Sequence, residues 1–373
     1  LTQNNIFEGL AELGWDSFFH AAYKPLAAPD NLPARVVGQE RNRYRVLPHS
    51  GECFAVISGH ALYHDMPGDI RPTVGDWVVI KNNSREGDTT IDTILPRKST
   101  LSRQIAGGRD RFAGGNTQEQ VVATNVDTAF IVCSLDSERN MRLRRIERYL
   151  ALVWSAGASP VVILNKTDLC HDVPVHINEV EKIALGVPII SLSATEKIGM
   201  DALDVHLGKG KTAVFLGLSG VGKSSIINAL LGEDRLKTNE VRESDFRGRH
   251  TTTRRELFML PGGGMVIDTP GMREIQVWGD EDDISSAFQD IEQLSVGCHF
   301  RDCKHRLEPG CAVNQAIRDG ILDEHRLQNY HKLQREIGYQ VARQNGKARL
   351  EEKLKWKKIS QLQKQYQKNN KER

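Results

Sequence analysis

The stretch 217-GLSGVGKSS-225 decides how the chain is read. It matches G-x-x-x-x-G-K-[ST], with Gly217, Gly222, Lys223 and Ser224 at the fixed positions. An apolar run, 212-TAVFLG, precedes it and a helical pattern, 223-KSSIINALL, follows it. That strand, loop and helix context is what a phosphate-binding loop requires. Glycines let backbone N–H groups converge on phosphate oxygens, and the helix start adds the positive end of its dipole. The loop as a whole, Gly217, Leu218, Ser219, Gly220, Val221, Gly222, Lys223, Ser224 and Ser225, is expected to touch a nucleotide. Lys223 would neutralise the β- and γ-phosphates during hydrolysis, and Ser224 would ligate Mg2+.

A second motif, 165-NKTD-168, lies upstream after the apolar run 160-PVVIL. A loop at the C-terminal end of such a strand meets ligands. The Asp168 carboxylate can accept from guanine N1–H and the C2 amine, whereas adenine offers neither donor. An unpaired polar group in such a site discriminates strongly. Lys166 can lie along the base plane, Asn165 can tie this loop to the phosphate loop, and Thr167 completes it. Downstream, 191-SLSAT-195 follows 187-VPII, and its Ser193-Ala194 pair suits a second guanine contact, with the Ala194 N–H reaching O6. GTP and GDP are the expected ligands.

Two further segments suit the γ-phosphate. In 268-DTPG-271, Asp268 would hold Mg2+ through water and the Gly271 N–H would contact the γ-phosphate. Within 247-RGRHTTTRRE, Thr252 is chosen to reach Mg2+ and the γ-phosphate, with its neighbours as alternates. Met272 stands where Ras-like switches use a glutamine to orient water. Methionine cannot do so, which implies slow hydrolysis in isolation or another group that positions the water. His250 is a candidate for that catalytic role; a histidine that only packs or hydrogen-bonds within the switch is the alternative.

In an ordinary G domain the phosphate loop comes first and the base loop near the end. Here the order is NKTD, SA, phosphate loop, threonine switch, DTPG. That is the usual cyclic order opened between DTPG and NKTD. A ligand senses which loops meet in space, so joining the old termini and opening another connection preserves the site. The sequence predicts a circularly permuted P-loop G domain over 121–278, a mostly parallel sheet with helices on both faces.

Outside that domain, residues 1–32 show roughly helical spacing of Ile6, Phe7, Leu10, Leu13, Phe18 and Phe19 and read as a helical arm packed on the body. Short alternating runs over 33–98 (34-ARVVGQ, 44-YRVL, 53-CFAVISG, 77-WVVI, 91-IDTIL) predict an OB-type β-barrel suited to RNA. The Gly-rich, basic stretch 99–120 reads as a mobile linker. Residues 279–342 read as a helical zinc-binding domain. There 298-CHFRDCKHRLEPGC-311 offers Cys298, Cys303, His305 and Cys311, three thiolates and an imidazole typical of a closed structural site. His299 is a competing ligand.

Composition is that of an ordinary water-exposed protein, 39% hydrophobic and 26% charged. No apolar run is long enough to span a membrane, and no basic segment followed by an apolar core marks a secretory signal. The other cysteines, Cys53, Cys133 and Cys170, form no disulfide framework, so a reducing, cytoplasmic setting is expected. The tail 343–373 carries eleven Lys/Arg against three Glu, a net of +8 within a chain of net +2, which points to a polyanionic partner.

These residues together resemble the RsgA (YjeQ/EngC) family of circularly permuted GTPases that depend on the small ribosomal subunit. The resemblance rests on the permuted motifs, 248-GRHTTT, 268-DTPGMRE and CHFRDCKHRLEPGCAV, and it covers nearly the whole chain. It implies a multidomain α/β protein, a barrel followed by the G domain and a zinc domain. It also implies a monomeric factor in late small-subunit maturation that binds 16S rRNA on the 30S subunit, which stimulates GTP hydrolysis. Two other classes stay open: a GTP-gated binding module whose hydrolysis is incidental, and a P-loop ATPase or kinase, against which NKTD and SA argue.

Overall fold

Alternating apolar residues between Asn31 and Ile94 form five strands: β1 (Asn31–Gln39), β2 (Tyr44–Pro48), β3 (Cys53–Ile57), β4 (Trp77–Asn82) and β5 (Thr89–Ile94). They run in the order β1-β2-β3-β5-β4, and β4 returns to pair with β1, closing a barrel. β3 and β5 are parallel and the other neighbours antiparallel. Side chains alternate along a strand, so one set, Val36, Val46, Ala55, Val78, Ile80 and Ile91, fills the interior. This is the OB-type barrel expected from the sequence. The computed structural model describes residues 7, 9–40, 43–59, 61, 71–82, 89–105, 118–236, 255–268, 288–306 and 308–335. The chain divides into two units, Leu1–Gln276 and Val277–Arg373.

Helix α1 (Ser17–Tyr23) starts at Asp16, whose carboxylate accepts from the Phe18 and Phe19 N–H groups. Its inner face joins Leu10, Leu13 and Trp15 against the barrel, where the Trp15 and Trp77 rings meet edge to face at 4.8 Å. The arm thus packs on the body. The expected linker holds structure instead. β6 (Thr100–Ile105) and β7 (Gln118–Thr124) form an antiparallel hairpin, with Leu101, Val122 and Ala123 buried. Those apolar residues flank a Gly-rich basic stretch that dominates the local composition and hides the pairing.

The G domain follows as β8 (Thr128–Ser134), α2 (Leu143–Ser155), β9 (Ser159–Asn165), α3 (Val173–Glu181), β10 (Ile189–Ser191), β11 (Thr212–Leu216), α4 (Lys223–Leu231), β12 (Glu256–Met259) and β13 (Met265–Asp268). A 3-10 segment, Met200–His206, precedes β11. The spatial order is β10-β9-β8-β11-β13-β12, parallel except for the β12–β13 hairpin. All seven residues of β8 are buried because both faces are covered. Ala129, Ile131 and Cys133 pack on one side with Ile146, Leu150 and Val153 of α2. Phe130 and Val132 pack on the other with Ile226 and Ile227 of α4.

Barrel and G domain share one eleven-stranded sheet through a bridge from Gly38 of β1 to Glu256 of β12. Arg35 of β1, 1% exposed, reinforces that junction. Its guanidinium donates to the carbonyls of Leu13, Gly75 and Asn125 and to Thr212 Oγ1, the last two at 3.1 and 2.9 Å. Burial pushes its pKa down to about 10, opposed by Asp127 and Asp76, so the cation persists at neutral pH. Replacing it strands several buried acceptors at once. Arg35→Met is expected to cost about 3 kcal/mol or more of stability, at about 1–3 kcal/mol for each unsatisfied group. A urea titration followed by tryptophan emission should show the lower midpoint; an unchanged midpoint would remove Arg35 as a structural latch.

In the second unit, α5 (Gln289–Ser295) and α6 (Ala312–Arg318) are followed by helical residues 324–335. Arg326, 4% exposed, donates to both carboxylate oxygens of Asp290 and lies 4.8 Å over the Phe288 ring.

Candidate nucleotide site and metal centre

In a parallel sheet the C-terminal strand ends lie on one edge, so the loops after β8, β9, β10, β11 and β13 are neighbours. Chain order reverses between β8 and β11, which is where open α/β sheets bind ligands. Gly217, the first residue after β11, takes φ +145°, and a Cβ there would lie 2.4 Å from the Val132 carbonyl of β8. Only glycine lets the two strands come this close at the switch point. The loop ends at Gly222, φ +97°, which starts α4 without a side-chain cap. The first N–H groups of the helix therefore face the loop with no capping side chain, the arrangement that receives phosphate. Lys223 Nζ donates to the carbonyls of Gly217 and Leu218 at 2.9 and 2.6 Å. Ser224 and Ser225 are half-buried in the first turn.

The base loop is tied to the phosphate loop directly. Asn165, 2% exposed, donates from Nδ2 to the Val221 carbonyl at 2.9 Å and accepts from the Ala194 N–H at 3.1 Å. One side chain thus holds three loops together. Lys166, in the left-handed region at φ +64°, reaches across to the Gly220 carbonyl at 2.8 Å and to Asp136 Oδ2 at 2.6 Å. Thr167 donates its N–H to the Leu192 carbonyl at 3.3 Å, and Asp168 lies exposed in the following 3-10 turn. Ser193 is buried, and its hydroxyl accepts from the Glu196 N–H at 3.2 Å.

In the second unit, the ligand atoms of Cys298, Cys303, His305 and Cys311 all lie within 4.8 Å of one another. Cys298 Sγ is 3.9 Å from Cys311 Sγ and 3.6 Å from His305 Nδ1; Cys311 Sγ is 3.5 Å from His305 Nδ1. A tetrahedral zinc with Zn–S near 2.3 Å has edges of about 3.5–3.8 Å, so the donor set fits that ion. Burial pushes the Cys298 thiol up, but hydrogen bonds from the Val313 and Ala312 N–H groups and from the Cys311 and Cys303 thiols together bring it below its ordinary value. His299 turns its ring edge-on to Phe300 and is not among the four.

The RsgA GTPase family profile matches residues 94–278. The small ribosomal subunit biogenesis GTPase RsgA 1 of Oceanobacillus iheyensis is 45% identical over 335 residues, covering 90% of this chain and 93% of that protein. The Opitutus terrae small ribosomal subunit biogenesis GTPase RsgA is 43% identical, covering 95% and 96%. The chain belongs to the RsgA GTPase family. Among solved structures it is similar to YjeQ from Thermotoga maritima, 27% identical, with a TM-score of 0.60 over 82% of this chain and 98% of that one. It shares the fold of YloQ, described as a circularly permuted GTPase, at a TM-score of 0.58 and 24% identity over 83% of this chain and 96% of that one.

The structure brings together Asn165, Lys166, Thr167, Asp168, Ser193, Ala194 and the loop from Gly217 to Ser225, with Asp268 at the end of β13 on the same edge. One detail differs from expectation: the Ala194 N–H, expected to reach a base oxygen, is engaged by Asn165. His250, Thr252, Gly271 and Met272 lie outside the described residues. Sequence reasoning missed Asp136, in the loop after β8. The only local signal was a carboxylate two residues after the buried strand β8, and nothing near it names its partner.

Gly222 offers a test of the link between loops. A Cβ there would lie 2.1 Å from Asn165 Nδ2, at a φ that alanine resists. Gly222→Ala is expected to break the bridge to Val221 and raise the Kd of a fluorescent guanine nucleotide at least tenfold, about 1.4 kcal/mol. Titration by fluorescence would read the loss; unchanged affinity would show that the Asn165 bridge is dispensable.

Proposed function

We propose that this RsgA-family chain binds GTP with Mg2+ at the edge formed by the loops after β9, β10, β11 and β13, and hydrolyses it to GDP and phosphate. It does so during late maturation of the small ribosomal subunit, stimulated by the 30S particle. The observation that carries the reading is the pair of contacts from Asn165 and Lys166 to Val221 and Gly220, which joins a base-reading loop to a phosphate loop. Lys223 meets the β- and γ-phosphates, Asp168 reads the guanine edge, and Ser193 and Ala194 border the base. Ser224 and Thr252 would hold Mg2+, with Asp268 assisting through water, and the Gly271 N–H would meet the γ-phosphate. The ion offsets charge that gathers on the phosphate oxygens. His250 positions the attacking water in place of the absent glutamine.

The closed barrel suits RNA backbone and the +8 tail suits its phosphates, so 16S rRNA is the proposed partner of a monomeric, cytoplasmic chain. Among the described residues no helix is long and apolar enough to cross a membrane. Cys298, Cys303, His305 and Cys311 hold one structural Zn2+.

Phosphate release from GTP and from ATP, with and without purified 30S subunits, tests the central reading. Strong stimulation for GTP alone is expected. Slow, equal GTP turnover in both conditions would favour a GTP-gated binding module, and ATP turnover would reject guanine selectivity. His250→Ala should cut turnover with little change in nucleotide affinity, and unchanged turnover would sink its role. Metal analysis should find about one zinc per chain, lost in Cys298→Ser together with cooperative melting of the second unit, since structural zinc contributes folding energy directly. A metal-free wild type with the same melt would reject the site.

A further inference from the structure

We propose that Asp136 is a positioning residue for guanine-nucleotide binding, clamping the Lys166 ammonium against the phosphate loop. The proposal rests on the nucleotide reading given above and adds to it a residue outside the five motifs.

Asn165 and Lys166 are adjacent, and they bond to the adjacent carbonyls of Val221 and Gly220. Their side chains differ in stiffness. Asn165 has a short amide that burial and two hydrogen bonds fix in place. Lys166 has four methylenes and loses about 2 kcal/mol of rotamer freedom when held in one conformation. One bond to a neutral carbonyl does little against that cost. The carboxylate of Asp136 supplies a second, charge-assisted bond at 2.6 Å, the stronger kind. With its ammonium held at both acceptors, the Lys166 stem is laid out beside Asp168 before any base arrives. A purine can then settle along a ready-made apolar edge.

Asp136 is itself fixed for this task. Its Oδ1 accepts from Ser134 Oγ at 2.7 Å and from Asn140 Nδ2 at 3.0 Å, which leaves Oδ2 to Lys166. Burial pushes the carboxyl up, but the hydrogen bonds from Lys166, Asn140 and Ser134 outweigh it and hold its pKa at about 2. The group is therefore an anion at any pH where the protein works. An anion beside a site for polyphosphate opposes binding by simple repulsion. Its place there is explained by the lysine it neutralises and orients. The loop that carries it leaves β8 at the switch point, one strand from the phosphate loop.

A double-mutant cycle separates this role from mere support of the 134–140 loop. The probe is N-methylanthraniloyl-GDP, titrated by fluorescence into the full chain. Asp136→Ala is expected to raise its Kd about tenfold in the wild-type background but less than about twofold in a Lys166→Ala background, because the two residues act as one unit. Asp136→Asn, whose single oxygen can accept from Lys166 while its amide N–H donates to Ser134 Oγ, is expected to recover part of the loss and guards against a misfolded alanine variant. Equal losses in both backgrounds, or no loss from either Asp136 variant, would overturn the proposal while leaving the nucleotide reading intact. Failure of the wild type to bind the probe would overturn the nucleotide reading itself.

Discussion

The pairing of β8 with β11 is the constraint on which the rest of the G domain depends. Ala213 to Leu216 lie opposite Thr128 to Ile131, so β11 ends opposite Ile131 while β8 runs on to Ser134. Gly217 then passes close enough to the Val132 carbonyl that any side chain would collide. This contact sets where the phosphate loop begins and fixes the reversal of chain order that opens the crevice. Nothing in it requires the two strands to be joined by a particular stretch of chain. β13 and β8 flank β11 on opposite sides, so an unpermuted chain would carry a crossover from one to the other. Here that crossover is gone, and the chain runs from β10 through the 3-10 segment Met200–His206 into β11. The same neighbours meet by a different route.

Opening the chain before β8 leaves that strand to be entered from outside the domain, and the barrel occupies the approach. Arg35 shows how the junction is held. It bonds the Asn125 carbonyl just before β8 and the Thr212 hydroxyl at the start of β11. Both lie at the N-terminal strand ends, opposite the nucleotide loops. The barrel is thus latched where β8 and β11 begin, and the loops at the other ends keep clear of the latch. The bridge between β1 and β12 adds a second tie along the sheet, beside the Arg45–Glu256 ion pair.

Local pattern made much of this legible. The barrel strands and the loop from Gly217 to Ser225 lie where alternation, apolar runs and glycine spacing put them. Asn165 was readable as a tie between loops because its motif has a fixed partner. Arg35 was not readable: the partners named above stand 22 to 177 residues away, and an arginine in an alternating strand looks like an outward-facing residue. Asp136 was hidden for a similar reason, since its meaning comes from Lys166, 30 residues on. The β6–β7 hairpin failed differently. The basic, Gly-rich stretch between its strands outweighs them in any local average.

The second unit shows how a metal-ligand set can stand in for a hydrophobic core. Its described residues bury few large side chains, chiefly Phe288, Ile291, Val313, Leu327, Tyr330 and Leu333. Arg326 and Asp290 form a well-bonded pair, but taking both charges out of water offsets much of their attraction, so that pair orients more than it stabilises. The four ligands gather 14 residues of turn, in which His305 at φ +55° and Gly310 at φ +72° make the reversals that bring Cys311 back to Cys298. Such backbone is costly for histidine without something to hold it. A divalent ion bound by three thiolates and an imidazole would supply that hold, and it would tie the start of α6 to the end of α5.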